Sequence, residues 1–283
     1  MSLDSWTING TPLESLAVAV STAEGQLEAP EWTDLDVALP GRHGVLDVGS
    51  APDEPRRPAG PGRIVFTGWV QGIDPVTGQL VGDGWDAFYR RADELQRAFG
   101  ARRLVLEHTR PDGTVRRATG WRTGSLSIDR QRTSPLLGTW QATVKIPGAF
   151  WSATTDVTIS ALLASGQPLA LGALAVGNAP IPDAIVTFGP GSNPTLVQGG
   201  TYVGWDGVIS SGRQLAVDTS PDAPEVGPGL GTAWSPADSA IRYGGGSGTW
   251  FELDPQGGDP VLNHTGGGQM SVAVTARPRY LTS

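Results

Sequence analysis

The chain predicts a mainly β protein of two domains. The first, residues 1–150, reads as a β-sandwich-like domain with one packed α-helix at 85–99. The second, residues 155–283, reads as a β-sandwich. Three observations carry this. Most apolar residues sit in short alternating runs, punctuated by the 40 Gly and 23 Pro of the 283 residues. A single segment departs from that pattern: Trp85, Phe88, Tyr89, Ala92, Leu95 and Phe99 recur at helical spacing and end at Gly100, a predicted C-terminal stop. After Trp151 the helical signal vanishes, and seven short strand candidates follow between Gly, Pro, Asn and Asp turns.

Taken in order, residues 6–13 form a strand entering an Asn9-Gly10 turn, the strongest short hairpin signal. Leu16 to Val20 is a second strand candidate, and Pro30 to Pro40 is extended. Arg63 to Val70 is a strand apolar on both faces, and the helix follows. Strands are then predicted at 103–108, 115–121, 125–129 and 139–146, with Pro111-Asp112-Gly113 as a turn. Pro147-Gly148 closes the first half, and the boundary falls between residues 148 and 156. In the second half strands are predicted at 156–159, 184–188, 196–197, 202–205, 214–218, 249–253 and 269–276.

Composition narrows the function. A net charge of −8 opposes a grip on nucleic acid, which needs clustered cations. Zero cysteines exclude disulfides, thiolate metal sites and cysteine nucleophiles. The N-terminus shows no basic segment followed by an apolar one, and no apolar run reaches membrane-spanning length. The expectation is a soluble product made in the cytoplasm, without membrane partners.

Motifs for chemistry are missing. The three histidines, His43, His108 and His264, lack metal-ligand spacing. Gly245-Gly246-Ser247-Gly248-Thr249 lacks the last glycine of a nucleophile elbow, and Gly227-Pro228-Gly229-Leu230-Gly231 lacks the lysine and helix of a phosphate loop. The acidic residues Asp74, Asp83, Asp112, Asp222, Asp254 and Asp259 fall in turns, where such side chains bond the backbone. The reading is no enzyme: no catalytic residue, no cofactor and no metal.

Two places are candidates for contacts. The stretch between Gly49 and Gly62 holds four prolines, so no regular element survives there, and a long loop inside a domain usually serves a contact. Its Pro52, Arg56, Arg57 and Pro58 are candidate subunit or partner contacts in an acidic protein. In the segment Trp250-Phe251-Glu252-Leu253, alternation puts Phe251 and Leu253 on the core face. Trp250 and Glu252 then share the outer face as a candidate aromatic contact.

The order of these features resembles the distal tail protein family of long-tailed, siphovirus-type phages. The first half carries Trp6-x-Ile8-Asn9-Gly10, then Leu39-Pro40-Gly41-Arg42-His43-Gly44, then strand, helix and strand. The second half carries Gly177-Asn178-Ala179-Pro180, Asn193-Pro194-Thr195-Leu196, Leu215-Ala216-Val217-Asp218-Thr219, Trp250-Phe251-Glu252-Leu253-Asp254-Pro255 and a closing Arg277-Pro278-Arg279-Tyr280. The resemblance implies a homo-hexameric ring at the distal end of the virion's tail. The first domain would form the ring wall and the second, galectin-like sandwich would project from it. The ring would join the tail tube protein to the tail-tip hub protein, hold a receptor-binding protein in some relatives, and pass DNA without binding it specifically. A carbohydrate-binding module or lectin used in host-surface adhesion is the competing reading, since it shares the sandwich and the abundant Trp. Asn193-Pro194 is followed by Thr195 rather than the arginine of a galectin site, which argues against sugar binding at that position.

Overall fold

The computed structural model describes residues 5–13, 18–24, 36–38, 45–47, 62–74, 77–130, 137–146, 150–219, 225–228, 241–244 and 251–282. Among these residues it is mainly β, with curled antiparallel sheets and one α-helix. The chain divides into two compact units that change over between Thr154 and Thr155. The strands β4 (Asp36–Ala38) and β5 (Val45–Asp47) pair with each other and group with the second unit.

The first unit contains β1 (Ser5–Ile8), β2 (Thr11–Pro12), β3 (Val18–Glu24), β6 (Gly62–Gln71), α1 (Trp85–Gly100), β7 (Leu104–Thr109), β8 (Val115–Arg130), β9 (Leu137–Ile146) and β10 (Trp151–Ala153). Its sheet path is β2-β1-β7-β8-β9-β6-β3, with β10 paired to β8. The Asn9-Gly10 turn closes the first hairpin with both residues in the left-handed region, φ 51° and 78°, as a type I′ turn requires. Strand β8 is the corner of the unit. Its first part, 115–120, pairs with β7, and its second part pairs with β9 from Trp121 to Arg130. The strand therefore passes from one sheet to the next, a standard way to fold a sheet over a core. A register shift between Thr123 and Ser127 adds the local bend of a bulge. The two strands predicted at 115–121 and 125–129 are therefore one, continuous through this bend.

Helix α1 closes the core. Ala87, Phe88, Ala92, Leu95 and Phe99 are buried. Phe99 meets Phe66 of β6 and Trp140 of β9 at ring-centroid distances of 6.0 and 5.6 Å. Trp6 extends the cluster, edge-on to Phe66 at 4.9 Å and stacked on His108 at 4.3 Å. The helix comes close because Gly138 lies beneath it: a Cβ there would sit 2.9 Å from Phe88. Two members of the sequence-predicted stripe lie elsewhere. Tyr89 is 52% exposed and Trp85 is half-buried, while Ala87 takes the place on the core side. At the start of the helix, Asp83 accepts the N–H of Asp86 at 2.9 Å, supplying the cap that Gly84 cannot. At the end, Gly100 belongs to the helix and Ala101 leaves it in an extended conformation. The expected left-handed glycine stop is not used.

The second unit contains β11 (Val157–Ala164), β12 (Gln167–Pro168), β13 (Ile185–Phe188), β14 (Gly191–Gln198), β15 (Thr201–Trp205), β16 (Val208–Ile209), β17 (Leu215–Asp218), β18 (Glu225–Pro228), β19 (Ile241–Gly244), β20 (Val261–Thr265), β21 (Gln269–Ala276) and β22 (Arg279–Tyr280). One sheet runs β11-β21-β13-β17-β18, and the other runs β12-β20-β14-β15-β19, with β16 added to β14. Inward residues of both sheets form a single core that includes Val186, Phe188, Leu196, Val203, Leu215, Leu262, Val272 and Val274, with Phe251 added from outside the strands. A 3₁₀ turn at Gly172–Val176 adds Leu174, although no helical signal was read after Trp151. Sequence reading also missed β20, and shortened β14 to 196–197.

Candidate interaction surfaces

The sequence-predicted contact residues divide into those the structure describes and those it does not. Pro52, Arg56, Arg57 and Pro58 lie outside the described residues, as does Trp250. Glu252 is exposed between fully buried Phe251 and Leu253. The alternation predicted for this segment therefore holds where it can be seen. Its element type does not hold across 251–253, where Leu253 makes only an isolated bridge to Ile181 rather than part of a strand.

The turn carboxylates do structural work. Asp74 accepts the N–H of Thr77, Asp83 that of Asp86, Asp254 that of Gln256 and Asp259 that of Leu171, all at 2.9–3.0 Å. Asp112 accepts both the N–H and the hydroxyl of Thr114, at 2.8 and 2.6 Å. Those bonds, the hydroxyl's first, hold its carboxyl below the ordinary value of 3.8. Asp222 lies outside the described residues. For Asp74, Asp83, Asp112 and Asp254 the partner is two or three residues on, which makes each a local capping device; Asp259, read from sequence as a turn residue, instead ties its segment to Leu171, 88 positions away. Among the described residues no group of three His, Cys, Asp or Glu could hold a metal ion.

Two polar side chains, buried Gln198 and half-buried Arg91, anchor loops. Gln198, on β14, donates from Nε2 to the carbonyls of Asp254 (2.8 Å) and Gly258, and its Oε1 accepts the N–H of Asp254 at 2.8 Å. One amide thus fixes the 254–258 turn. Arg91 plays the same part in the first unit, donating to the carbonyls of Gln71 and Ile73 and tying the segment before α1 to the helix.

The surface with the most unusual composition is the face of the first unit's sheet opposite α1. Register places its outward residues in transverse rows across β6, β9 and β8. These rows are Arg63–Lys145–Trp121, then Val65–Thr143–Thr123, Thr67–Gln141–Ser127 and Trp69–Thr139–Asp129. Of the seven described tryptophans four are buried, whereas Trp69 and Trp121 stand out from this face, 43% and 42% exposed. The last two rows form a cleft of about 280 Å³. Ser127 donates to Asp129 Oδ2 at 3.4 Å at its edge. A second aromatic patch lies on the outer side of α1. Trp85 stacks on Tyr89 at 6.2 Å, and Arg130 lies 5.1 Å over the Trp85 ring while donating to the Tyr89 hydroxyl at 3.1 Å. Aromatic and arginine side chains grouped in this way are the residues that dominate binding surfaces.

In the second unit the outward face of β11, β21, β13 and β17 is built mostly of small residues, with Leu162 and Ile185, 59% and 41% exposed, as its large apolar members. It carries Thr158, Ser160, Ser271, Ala273, Thr275, Thr187 and Ala216. Two ion pairs lie at its margin, Arg277 with Asp156 and Arg279 with Asp183, both at 2.7 Å. The hydrogen bond that Arg277 Nε donates to Asp156 raises the guanidinium above its ordinary value. The Arg277–Asp156 pair, exposed on both sides, contributes little to stability.

No family model matches the chain, and no curated protein matches it.

Proposed function

We propose that this chain is a structural virion protein, a subunit of the distal tail ring that joins a phage tail tube to its tail-tip hub. The observation that carries this reading is architectural. A single amphipathic helix is seated on a curled antiparallel sheet and followed by a two-sheet sandwich, in a chain whose short signatures occur in the order of the distal tail family. Its partners are further copies of itself, the tail tube protein, the hub protein and, in some relatives, a receptor-binding protein. It performs no catalysis and takes no cofactor. The second unit acts as a galectin-like spacer and docking module.

The acidic charge suits a conduit. Six chains at −8 each carry −48, so phosphate is repelled over about a Debye length, roughly 8 Å at physiological salt, rather than held.

The test is particle size and shape. Purified protein, alone or with its tail partners, should give particles near six times 29.5 kDa that image as rings. A monomer at all concentrations that also fails to join purified tail tubes would overturn the proposal.

A further inference from the structure

We propose that the cleft on the sheet face opposite α1 is a saccharide-binding site for a small neutral oligosaccharide. It is bounded by Thr67, Trp69, Ser127, Asp129, Thr139 and Gln141. Two adjacent rows of three strands bring these six side chains together. Strands lie about 4.8 Å apart, and outward residues on one strand recur about every 6.7 Å. The six therefore span a patch about 10 Å by 7 Å.

The chemistry of that patch selects the ligand. One indole, nearly half exposed, stands at a corner. The other five side chains are a carboxylate, an amide and three hydroxyls. An indole presents a flat apolar face to the C–H side of a sugar ring. Amide, hydroxyl and carboxylate groups match the alternating donors and acceptors of a polyol. No cation is among the six, and Asp129 repels anions, so phosphate-bearing ligands are disfavoured. The volume of about 280 Å³ lies just under the usual range for drug-sized ligands, which suits a short saccharide.

The cleft is also held firmly. Its floor is Trp140, 2% exposed and backed by Phe99 of the helix. Gly68 faces Trp140 across the β6–β9 pair. The bulge between Thr123 and Ser127 bends β8 beside the cleft. Ser127 orients the Asp129 carboxylate. Such packing pre-organises the groups that would contact a ligand.

This proposal stands apart from the ring reading, which is tested by particle size. The experiment uses the full chain on a printed array of neutral oligosaccharides, followed by calorimetric titration of the best binder. The expected result is saturable binding, about tenfold weaker in Trp69→Ala, the effect of losing one stacking contact. Trp69→Phe should retain most of it. Gln141→Ala, a smaller change, should also weaken it. Trp121→Ala, on the same face but two rows from the cleft, should leave it unchanged. No binding anywhere on the array overturns the proposal, as does equal binding by Trp69→Ala. So does a change in oligomeric size in Trp69→Ala without any sugar binding, which would make the cleft a contact between copies.

Discussion

The two units use the same alternating strands to build different cores. The first is aromatic, with Trp6, Phe66, Phe88, Phe99, Trp140 and Trp151 buried, and a helix closes it. The second is mainly aliphatic, and sheet packs on sheet around it. Their outward faces differ as well. The first carries the exposed rings of Trp69 and Trp121, while the second carries alanine, serine and threonine with the aliphatic Leu162 and Ile185 and no exposed ring among its described side chains. Large rings across a helix–sheet junction fill the space that a second sheet's interdigitating side chains would otherwise fill. The helix is therefore the element on which the first unit depends, and the second unit depends on no single element to the same degree.

The largest test of that contrast is a pair of core deletions. Leu95→Ala should cost about 2–5 kcal/mol and lower the melting transition of the first unit. Phe251→Ala should cost about 3–5 kcal/mol and lower that of the second. Scanning calorimetry of the full chain would show whether each variant moves one transition. If both move together, the units unfold as one and the contrast is lost. Gln198→Leu comes next. It leaves the Asp254 N–H and two carbonyls without their amide partner, at about 1–3 kcal/mol for each group that stays buried, and only the second unit should respond in urea titration. Asp83→Ala removes the helix cap and should cost the first unit about 0.5–2 kcal/mol, with Asp83→Asn restoring most of it. A result with no change in either variant would mean that packing alone holds the helix start.

The smallest effect is electrostatic. Asp112 titrates below 3.8 when folded, so its contribution is present above its unfolded value and is lost as pH falls through the lowered folded value. The difference in melting temperature between the parent chain and Asp112→Ala should shrink in that acid range. A difference that stays constant down to pH 2 would assign the effect to backbone geometry instead.

Much of this architecture was legible because local rules agree with the fold. The helix shows its 3.6-residue period, and Asn9-Gly10 announces its own turn. Legibility fails where one residue type serves two purposes. Gly191-Ser192-Asn193-Pro194 reads as a turn but forms the start of β14. Asn193 there adopts φ 48° beside a register shift, and its side chain bonds Gly207 and Thr265. The cleft was invisible for a different reason. Its six residues come from segments 67–69, 127–129 and 139–141, and only strand register decides that they meet. In the sequence Trp69 is one more apolar residue of a strand apolar on both faces. The loop contacts at Arg56 and Arg57 and the outer Trp250 fall outside the described residues, and they stand as expectations.

The placing of β21 has a consequence for synthesis. This strand lies second in its sheet, paired with β11 on one side and β13 on the other. β11 is the first strand of the sandwich after the unit boundary, and β21 is the last long one to be made. Residues 157–164 therefore wait for residues 269–276, more than a hundred positions later. Until then β13, β17 and their apolar faces have no central partner. Loop-closure entropy must be met before that pairing gives any return. The sandwich is thus finished only once residues 269–276 have been made, whereas the β6–α1–β9 core of the first unit is complete by Ile146. A nascent chain halted before residue 269 would expose the strands of an unclosed sheet to protease and chaperone alike.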